Sequence, residues 1–583
     1  MKFLRNFFAA FLALVVFSTM IFVFFIVVIS ALEDTEKFSV KNNSVLKISL
    51  TQPLADRDFN DPFAKYAFTG TSANRIGIVD LRKALNQAAT DDKIKGVVLY
   101  APTLMGGFAL GQEARQLLED FKKSGKFIWA YAELMTEGGY YMSSVADKVF
   151  LSPEGMVEWN GLAVEINFFK GTFEKLEIKP QIFRVGDYKS AVEPFLYDKM
   201  SDDNREQVKS MLSSIYGNIV DEVSGNLDID ASQLLDLSNN MSVQSAQDAV
   251  DNNLITGLLY EDEFEDLLAE ELNVDESSDI NWVSYRQYNT SFSNYVKSKN
   301  KIAVIIAEGE IMMGRKQQGV ITPGQFIDEL RRAREDDNVK AVVFRINSPG
   351  GDALASNLIW REVVKTSEVK PIIASMSTYG ASGGYYLAMA ADTIVAQPTT
   401  LTGSIGIFGM IFNISDFMSN KLGITTDRET TGTYSNLYTA TRALSDAEKA
   451  IIQNSVNQGY ESFTSKAAEG RNMSLEDLKS VASGRVWTGL QAKENGLIDV
   501  LGGLQTAIDI AAVKAGIEDD YKLRYYPVKK SAIEELLEEM SGSSQASMIK
   551  SELGEFYPYL DLLNKVKNMR GVQARMPFEI EIK

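Results

Sequence analysis

The sequence predicts an α/β fold: two tandem, repeated domains with mainly parallel sheets, preceded by one transmembrane helix. Three observations predict it. An uncharged apolar run opens the chain, a gapless internal repeat recurs at an offset of 245 residues, and β-branched runs alternate with helical periodicity. The 583 residues are 45% hydrophobic and 23% charged, the balance of a folded globular chain with ample core.

Phe7 to Leu32 carries no charge and is nearly all Phe, Leu, Val, Ile and Ala. A bilayer span needs about 20 such residues, whereas a secretory apolar core has about 7–15. Residues 1–32 are therefore expected to be a membrane anchor. Lys2 and Arg5 precede the run, and Glu33, Asp34 and Glu36 follow it. The positive-inside rule then puts the N-terminus in the cytoplasm and the body outside. Cleavage near Ser30 or Ala31 is the rival reading. No later stretch is long and apolar enough to span again.

The repeat aligns Asp91-Asp92-Lys93-Ile94-Lys95-Gly96-Val97-Val98 with Asp336-Asp337-Asn338-Val339-Lys340-Ala341-Val342-Val343. The same offset aligns Gly138-Gly139-Tyr140-Tyr141 with Gly383-Gly384-Tyr385-Tyr386, Ala146-Asp147 with Ala391-Asp392, Pro153 with Pro398, and Gly161 with Gly406. About 15 of the 72 positions from 91 to 162 are identical, too many in one register for chance. Domain boundaries are placed at 44–295 and 296–515, with a C-terminal extension at 516–583. Glu261 to Asn300, acidic and then rich in Ser, Asn and Tyr, reads as the bridge between copies.

Within copy two, Ile302–Ala307, Val339–Ile346 and Pro371–Ser375 read as strands. Phe326–Arg334, Leu354–Lys365 and Tyr385–Ala391 read as helices. Strands separated by helices imply crossover connections and a parallel sheet. The extension is expected to be helical at Ala532–Met540 and strand-like at Phe578–Ile582.

Composition excludes whole classes of chemistry. With no histidine, no Ser-His-Asp, Cys-His or His-metal mechanism is available. With no cysteine, disulfides, thiol nucleophiles and thiolate metal sites are excluded. The net charge of −19 argues against nucleic acid as a partner. A catalytic base must be Lys, Asp, Glu or Tyr.

Two glycine-rich turns follow strands in copy two, Asn347-Ser348-Pro349-Gly350-Gly351 and Gly380-Ala381-Ser382-Gly383-Gly384. Sites in α/β folds form at the C-terminal ends of strands. Ser382 at such a turn would have the Gly383 N–H beside it, and Gly351 lacks a side chain to block a second N–H, an oxyanion-stabilising arrangement. The bland alternative is a tight turn with a spectator serine. The match to the G-x-S-x-G elbow misleads, because enzymes built on it use His.

A serine without His can use a lysine whose pKa is lowered. The repeat suggests which one. Copy one has Glu137 opposite Ser382, and copy two has Ser435 opposite Lys189. Neither copy holds a full Ser-Lys pair, but the two together do. Taken alone, Lys189 reads as an ordinary surface lysine. The match at Ser367 to Lys370 is expected on a solvated face.

Taken together, Gly186-Asp187-Tyr188-Lys189-Ser190-Ala191-Val192-Glu193-Pro194-Phe195, the Asn347–Gly351 and Gly380–Tyr386 turns, and Leu401-Thr402-Gly403-Ser404-Ile405-Gly406 carry a specific resemblance. The chain resembles the long, duplicated form of the bacterial signal peptide peptidases (SppA, protease IV) of the ClpP/crotonase-like superfamily. The resemblance implies a Ser-Lys dyad protease with Ser382 as nucleophile and Lys189 as general base. It implies Gly351 and Gly383 as oxyanion-hole positions and Ser404 as a hydrogen-bonding partner of the lysine. It implies no metal or other cofactor, and hydrophobic signal peptides as substrates. It also implies a homotetramer in the bacterial inner membrane with the catalytic body on the periplasmic side. A crotonase-like acyl-CoA hydratase is disfavoured by the anchor, and a non-catalytic scaffold by the presence of both Ser382 and Lys189.

Overall fold

The computed structural model describes residues 2–33, 38–58, 74–293, 296–317, 319–528 and 572–576. The first helix runs Lys2–Glu33. Its side chains are described through Met20 and at Val23, and among the described residues no helix is long and apolar enough to cross a membrane. The expected span, Phe7 to Leu32, runs on past them. The helix and strand expected within 529–571 and 577–583 also lie outside the described residues.

Each repeat builds its own sheet. In the first, the order is Gly257–Leu258, Lys148–Val157, Phe127–Met135, Ile94–Tyr100, Ser44–Ser49, Asn281–Ser284, and every pairing is parallel. In the second, Leu401–Gly403, Ile372–Ala381, Val339–Ser348, Lys301–Glu308 and Lys522–Tyr526 run parallel in that order. Val486–Thr488 closes the edge antiparallel to Leu401–Gly403. Ala341–Phe344 reads apolar on both faces because helices cover both, as crossover connections require.

The expected elements of copy two are found within a few residues, as Pro323–Glu335, Ala353–Ser367 and Gly383–Ala388 for the helices. Asn281–Ser284 pairs with Ser44–Ser49, so the segment read as a bridge completes repeat one. Lys522–Tyr526 pairs with Lys301–Glu308 in the same way, so repeat two continues past residue 515.

The residues that revealed the duplication hold duplicate bonds. Tyr140 Oη donates to the Leu254 carbonyl at 2.7 Å, and Tyr385 Oη donates to the Leu497 carbonyl at 2.9 Å. Asp147 accepts the Ile128 N–H at 2.7 Å, and Asp392 accepts the Ile372 N–H at 2.7 Å. Lys126 and Lys370 lie one residue out of the 245 register yet do the same work: Lys126 Nζ donates to the carbonyls of Ala88 and Asp91, and Lys370 Nζ to those of Ala333 and Asp336. Lys370 is thus half-buried and closes a helix end, not the solvated lysine expected. The buried hydroxyls of Tyr140 and Tyr385 and the N–H groups of the buried Ile128 and Ile372 must be paired, which explains why the tyrosines and aspartates match between copies.

A third sheet crosses the repeat boundary. Its order is Val320–Ile321, Glu310–Ile311, Gly350–Asp352, Val572–Arg575, Ile407–Asn413, Lys179–Val185. Lys179–Val185 belongs to repeat one, yet it pairs antiparallel over seven residues with Ile407–Asn413 of repeat two. The repeats are also tied by a buried ion cluster. Arg345, fully buried, donates to Asp56 at 2.7 Å and to Glu113 at 2.6 Å, both from repeat one. Ser375 Oγ accepts from the same guanidinium at 2.9 Å.

Removing one partner of a buried ion cluster strands the others. Arg345→Met should therefore destabilise the chain by about 3–5 kcal/mol, read as a lowered urea midpoint. Neutralising the stranded groups as well, in Asp56→Asn/Glu113→Gln/Arg345→Met, should recover much of that loss.

Candidate active site

The serine arrives at the end of Ile372–Ala381 and opens the helix Gly383–Ala388. Its backbone is at φ 54°, ψ −110°, a region that non-glycine residues rarely occupy. The strain is held by bonds on both sides. Ser382 N–H donates to the Gly403 carbonyl at 2.8 Å, and Tyr386 N–H donates to the Ser382 carbonyl at 2.9 Å. Gly384 must lack a side chain, since a Cβ there would lie 2.6 Å from the Ser348 oxygen.

The lysine arrives from the other repeat. After Lys179–Val185 the chain turns at Gly186, φ 102°, where a Cβ would lie 2.3 Å from the Ser483 oxygen. Lys189 then enters a slot walled by glycines. A Cβ on Gly484 would lie 2.7 Å from Lys189 Cβ, and one on Gly406 would lie 3.2 Å from Lys189 Cδ. Gln207 fixes the next residue by donating to Ser190 Oγ at 3.0 Å while accepting the Val486 N–H at 2.9 Å. Glu193 accepts from Ser201 Oγ at 2.5 Å and Asn204 Nδ2 at 2.9 Å, so this motif carboxylate braces the loop.

Lys189 Nζ lies 2.9 Å from Ser382 Oγ, 3.0 Å from Ser404 Oγ and 3.1 Å from the Ser404 carbonyl oxygen. All three residues are fully buried. Burial pushes the Lys189 amine well below its ordinary value, and no charged group acts against that. A neutral amine has two N–H donors and one lone pair. Its donors can go to the two Ser404 oxygens, which leaves the lone pair facing the Ser382 hydroxyl. That is the geometry of a general base beside a nucleophile.

Gly383, which follows Ser382 directly, and Gly351 are both buried. Gly351 is in strand register with Ile311 on one side and Ala574 on the other. The glycine that adjoins Gly383 is Gly350, whose Cβ would lie 2.8 Å from the Gly383 nitrogen. In repeat one, Glu137 takes the serine's place and accepts the Asn160 and Gly161 N–H groups at 3.0 and 2.7 Å. Ser435, opposite Lys189 in the alignment, is exposed.

The sequence reading missed Gly350, Gly484, Gln207 and the strand Val572–Arg575. Gly350 stood beside Gly351 without a reason to choose between them. Gly484 and Gln207 matter only because distant segments fold against Lys189.

A family model for peptidase family S49 matches residues 120–275 and 365–518. A chloroplastic serine protease SPPA of Arabidopsis thaliana is 35% identical over 551 residues, covering 92% of this chain and 78% of that one. Protease 4 of Salmonella typhi is 34% identical, covering 82% and 79%. Protease 4 of Haemophilus influenzae is 31% identical, covering 85% and 84%. The family model falls once on each repeat, and the relatives span both. The chain belongs to peptidase family S49 and is a serine protease with a duplicated domain.

Two substitutions test the lysine slot. Gly484→Ala puts a Cβ against Lys189 at a φ of 79° and should lower kcat at least about tenfold by misplacing the amine. Ser404→Ala removes one acceptor from Nζ and should lower kcat by roughly tenfold with KM little changed. Both are read from steady-state peptide hydrolysis.

Proposed function

We propose that this protein is a membrane-anchored endopeptidase that uses a Ser-Lys dyad to hydrolyse apolar peptides, foremost the signal peptides left in the bilayer after export. One observation carries the catalytic part: the 2.9 Å contact between Lys189 Nζ and Ser382 Oγ in a site without water-facing surface. Neutral Lys189 takes the Ser382 proton as Oγ attacks the peptide carbonyl. The resulting ammonium then gives that proton to the leaving amine. Ser404 supplies two oxygens that steady the ammonium meanwhile. Water, deprotonated by Lys189, hydrolyses the acyl-enzyme. Gly383 N–H, next to the nucleophile, and the glycine turn at 350–351 stabilise the oxyanion. No metal or other cofactor enters these steps.

The first helix supports the anchor. Its 32 residues span about 48 Å, and Phe7, Phe8, Phe11, Leu12, Leu14 and Phe17 are more than half exposed. Apolar side chains exposed in such number suit a bilayer. The reading extends to a body on the periplasmic side of a bacterial inner membrane and to the homotetramer that the sequence resemblance implies. Carbonate extraction of membranes and light scattering of the detergent-solubilised protein test those two points.

Hydrolysis of an apolar peptide in micelles tests the dyad. Ser382→Ala and Lys189→Met should each lower kcat by at least about 10³-fold. Activity needs the neutral amine, so it should persist down to neutral pH and fall as pH drops through the lowered lysine value. Stability moves with the opposite logic. Below the pKa of a free lysine, about 10.4, the unfolded chain binds a proton that the folded one resists. Lys189→Met should therefore gain thermal stability relative to wild type at pH 7, and the gain should shrink toward pH 10.

A further inference from the structure

The strand Val572–Arg575 is separated in sequence from the last strand of the second sheet, Lys522–Tyr526, yet it lies in the middle of the third sheet. It runs antiparallel to Gly350–Asp352 on one side, with Gly350 opposite Arg575, Gly351 opposite Ala574 and Asp352 opposite Gln573. It runs antiparallel to Ile407–Asn413 on the other, with Phe408 opposite Gln573 and Gly409 opposite Val572. Met576 N–H donates to the Pro349 carbonyl at 2.6 Å. Antiparallel ladders alternate, so Gly351 and Ala574 form the next hydrogen-bonded pair. The Gly351 N–H then points at the Ala574 carbonyl. That carbonyl oxygen also lies 3.0 Å from where a Gly383 Cβ would be, and 2.2 Å from a Gly350 Cβ.

A backbone carbonyl of the chain itself thus rests against the glycines beside the nucleophile. Side chains anchor it there. Ala574 is fully buried and Met576 is 2% exposed, while Arg575 pairs with Glu310 at 3.0 Å. Without this segment, Gly350–Asp352 and Ile407–Asn413 would face each other across a slot one strand wide, with unpaired N–H and C=O groups on both sides. Such a slot receives an extended peptide by strand addition. With the segment in place, Ser382 and Lys189 are both fully buried, and no peptide reaches them.

From this placement we infer that residues 572–576 are a pseudosubstrate strap: the chain's own strand fills the peptide groove in cis, and activity requires its displacement. The inference rests on the dyad reading above. The occupant is a segment of this chain, in substrate-like backbone pairing, and substrates compete with it. A groove free only a fraction of the time weakens apparent substrate affinity by that fraction.

The test uses the full chain in detergent micelles, with hydrolysis of an apolar peptide and fluorophosphonate labelling of Ser382 as parallel readouts. Ala574→Trp cannot seat in the fully buried Ala574 position. Arg575→Glu sets like charges at Glu310, and Glu310→Arg/Arg575→Glu restores the pair. The strap predicts that Ala574→Trp and Arg575→Glu raise kcat/KM at least about fivefold, mostly through KM, and that the double exchange reverses the gain. A capped Val-Gln-Ala-Arg-Met peptide should inhibit Ala574→Trp competitively. Unchanged hydrolysis in all variants, with Ser382 still labelled, would overturn the strap and leave the protease reading standing. Loss of both readouts in Ala574→Trp alone would also overturn it, making the strand a fixed wall of the site. Mass spectrometry showing that wild type cuts itself between Ala574 and Arg575 would do the same, making the segment a substrate that leaves. Absence of labelling and hydrolysis in every form, wild type included, would overturn the dyad reading and the strap with it.

Discussion

A lysine amine with no charged partner, sealed from water and held 2.9 Å from a serine hydroxyl, is the constraint on which the rest of this structure depends. Burying an amine is unfavourable in its charged form, so the protein must keep it neutral and supply oxygens for its N–H groups. Ser404 supplies two of them through one residue. The glycines at 186, 406 and 484 follow from the same demand. The lysine stem lies so close to the backbone around it that side chains at these positions would meet backbone or the stem itself.

The lysine and the serine come from different repeats, so the repeats must be fixed relative to each other to a fraction of an ångström. Two features do this. Lys179–Val185 is drawn into the sheet of the other repeat, delivering Lys189 four residues later. Arg345, one strand away from the serine turn, holds Asp56 and Glu113 of repeat one in a buried cluster. Such clusters add little net stability over apolar packing, but they tolerate few geometries. The two repeats thus differ at the positions that meet. Repeat one keeps the same folding bonds, through Tyr140 and Asp147, while Glu137 fills the position of Ser382 with a carboxylate tied to backbone N–H groups.

Much of this was legible in the sequence because the repeat compares two solutions to one folding problem. Positions that pair buried polar groups, such as Tyr385 and Asp392, recur in both copies and so reveal the domains. The positions proposed to carry the chemistry differ between copies, which is how Ser382 and Lys189 stood out. Strands of the parallel sheets read clearly because the middle of Val339–Ile346, Ala341-Val342-Val343-Phe344, is an unbroken apolar run with two β-branched residues. The third sheet did not read at all. Its strands are short, such as Glu310–Ile311 and Gly350–Asp352, or have mixed polarity, such as Lys179–Val185, and their partners lie far away in sequence. Non-local pairing leaves no local pattern, and for the same reason the strand at 572–575 was not foreseen.

The most direct measurement of the central claim is the rate of fluorophosphonate labelling of Ser382 as a function of pH, in the full chain and in Lys189→Met. The account predicts a sigmoidal rise in wild type with a midpoint well below 10.5, and in Lys189→Met a rate at least about 100-fold lower without that midpoint. Equal labelling with the same midpoint in both proteins would contradict it, because some group other than Lys189 would then be activating the serine.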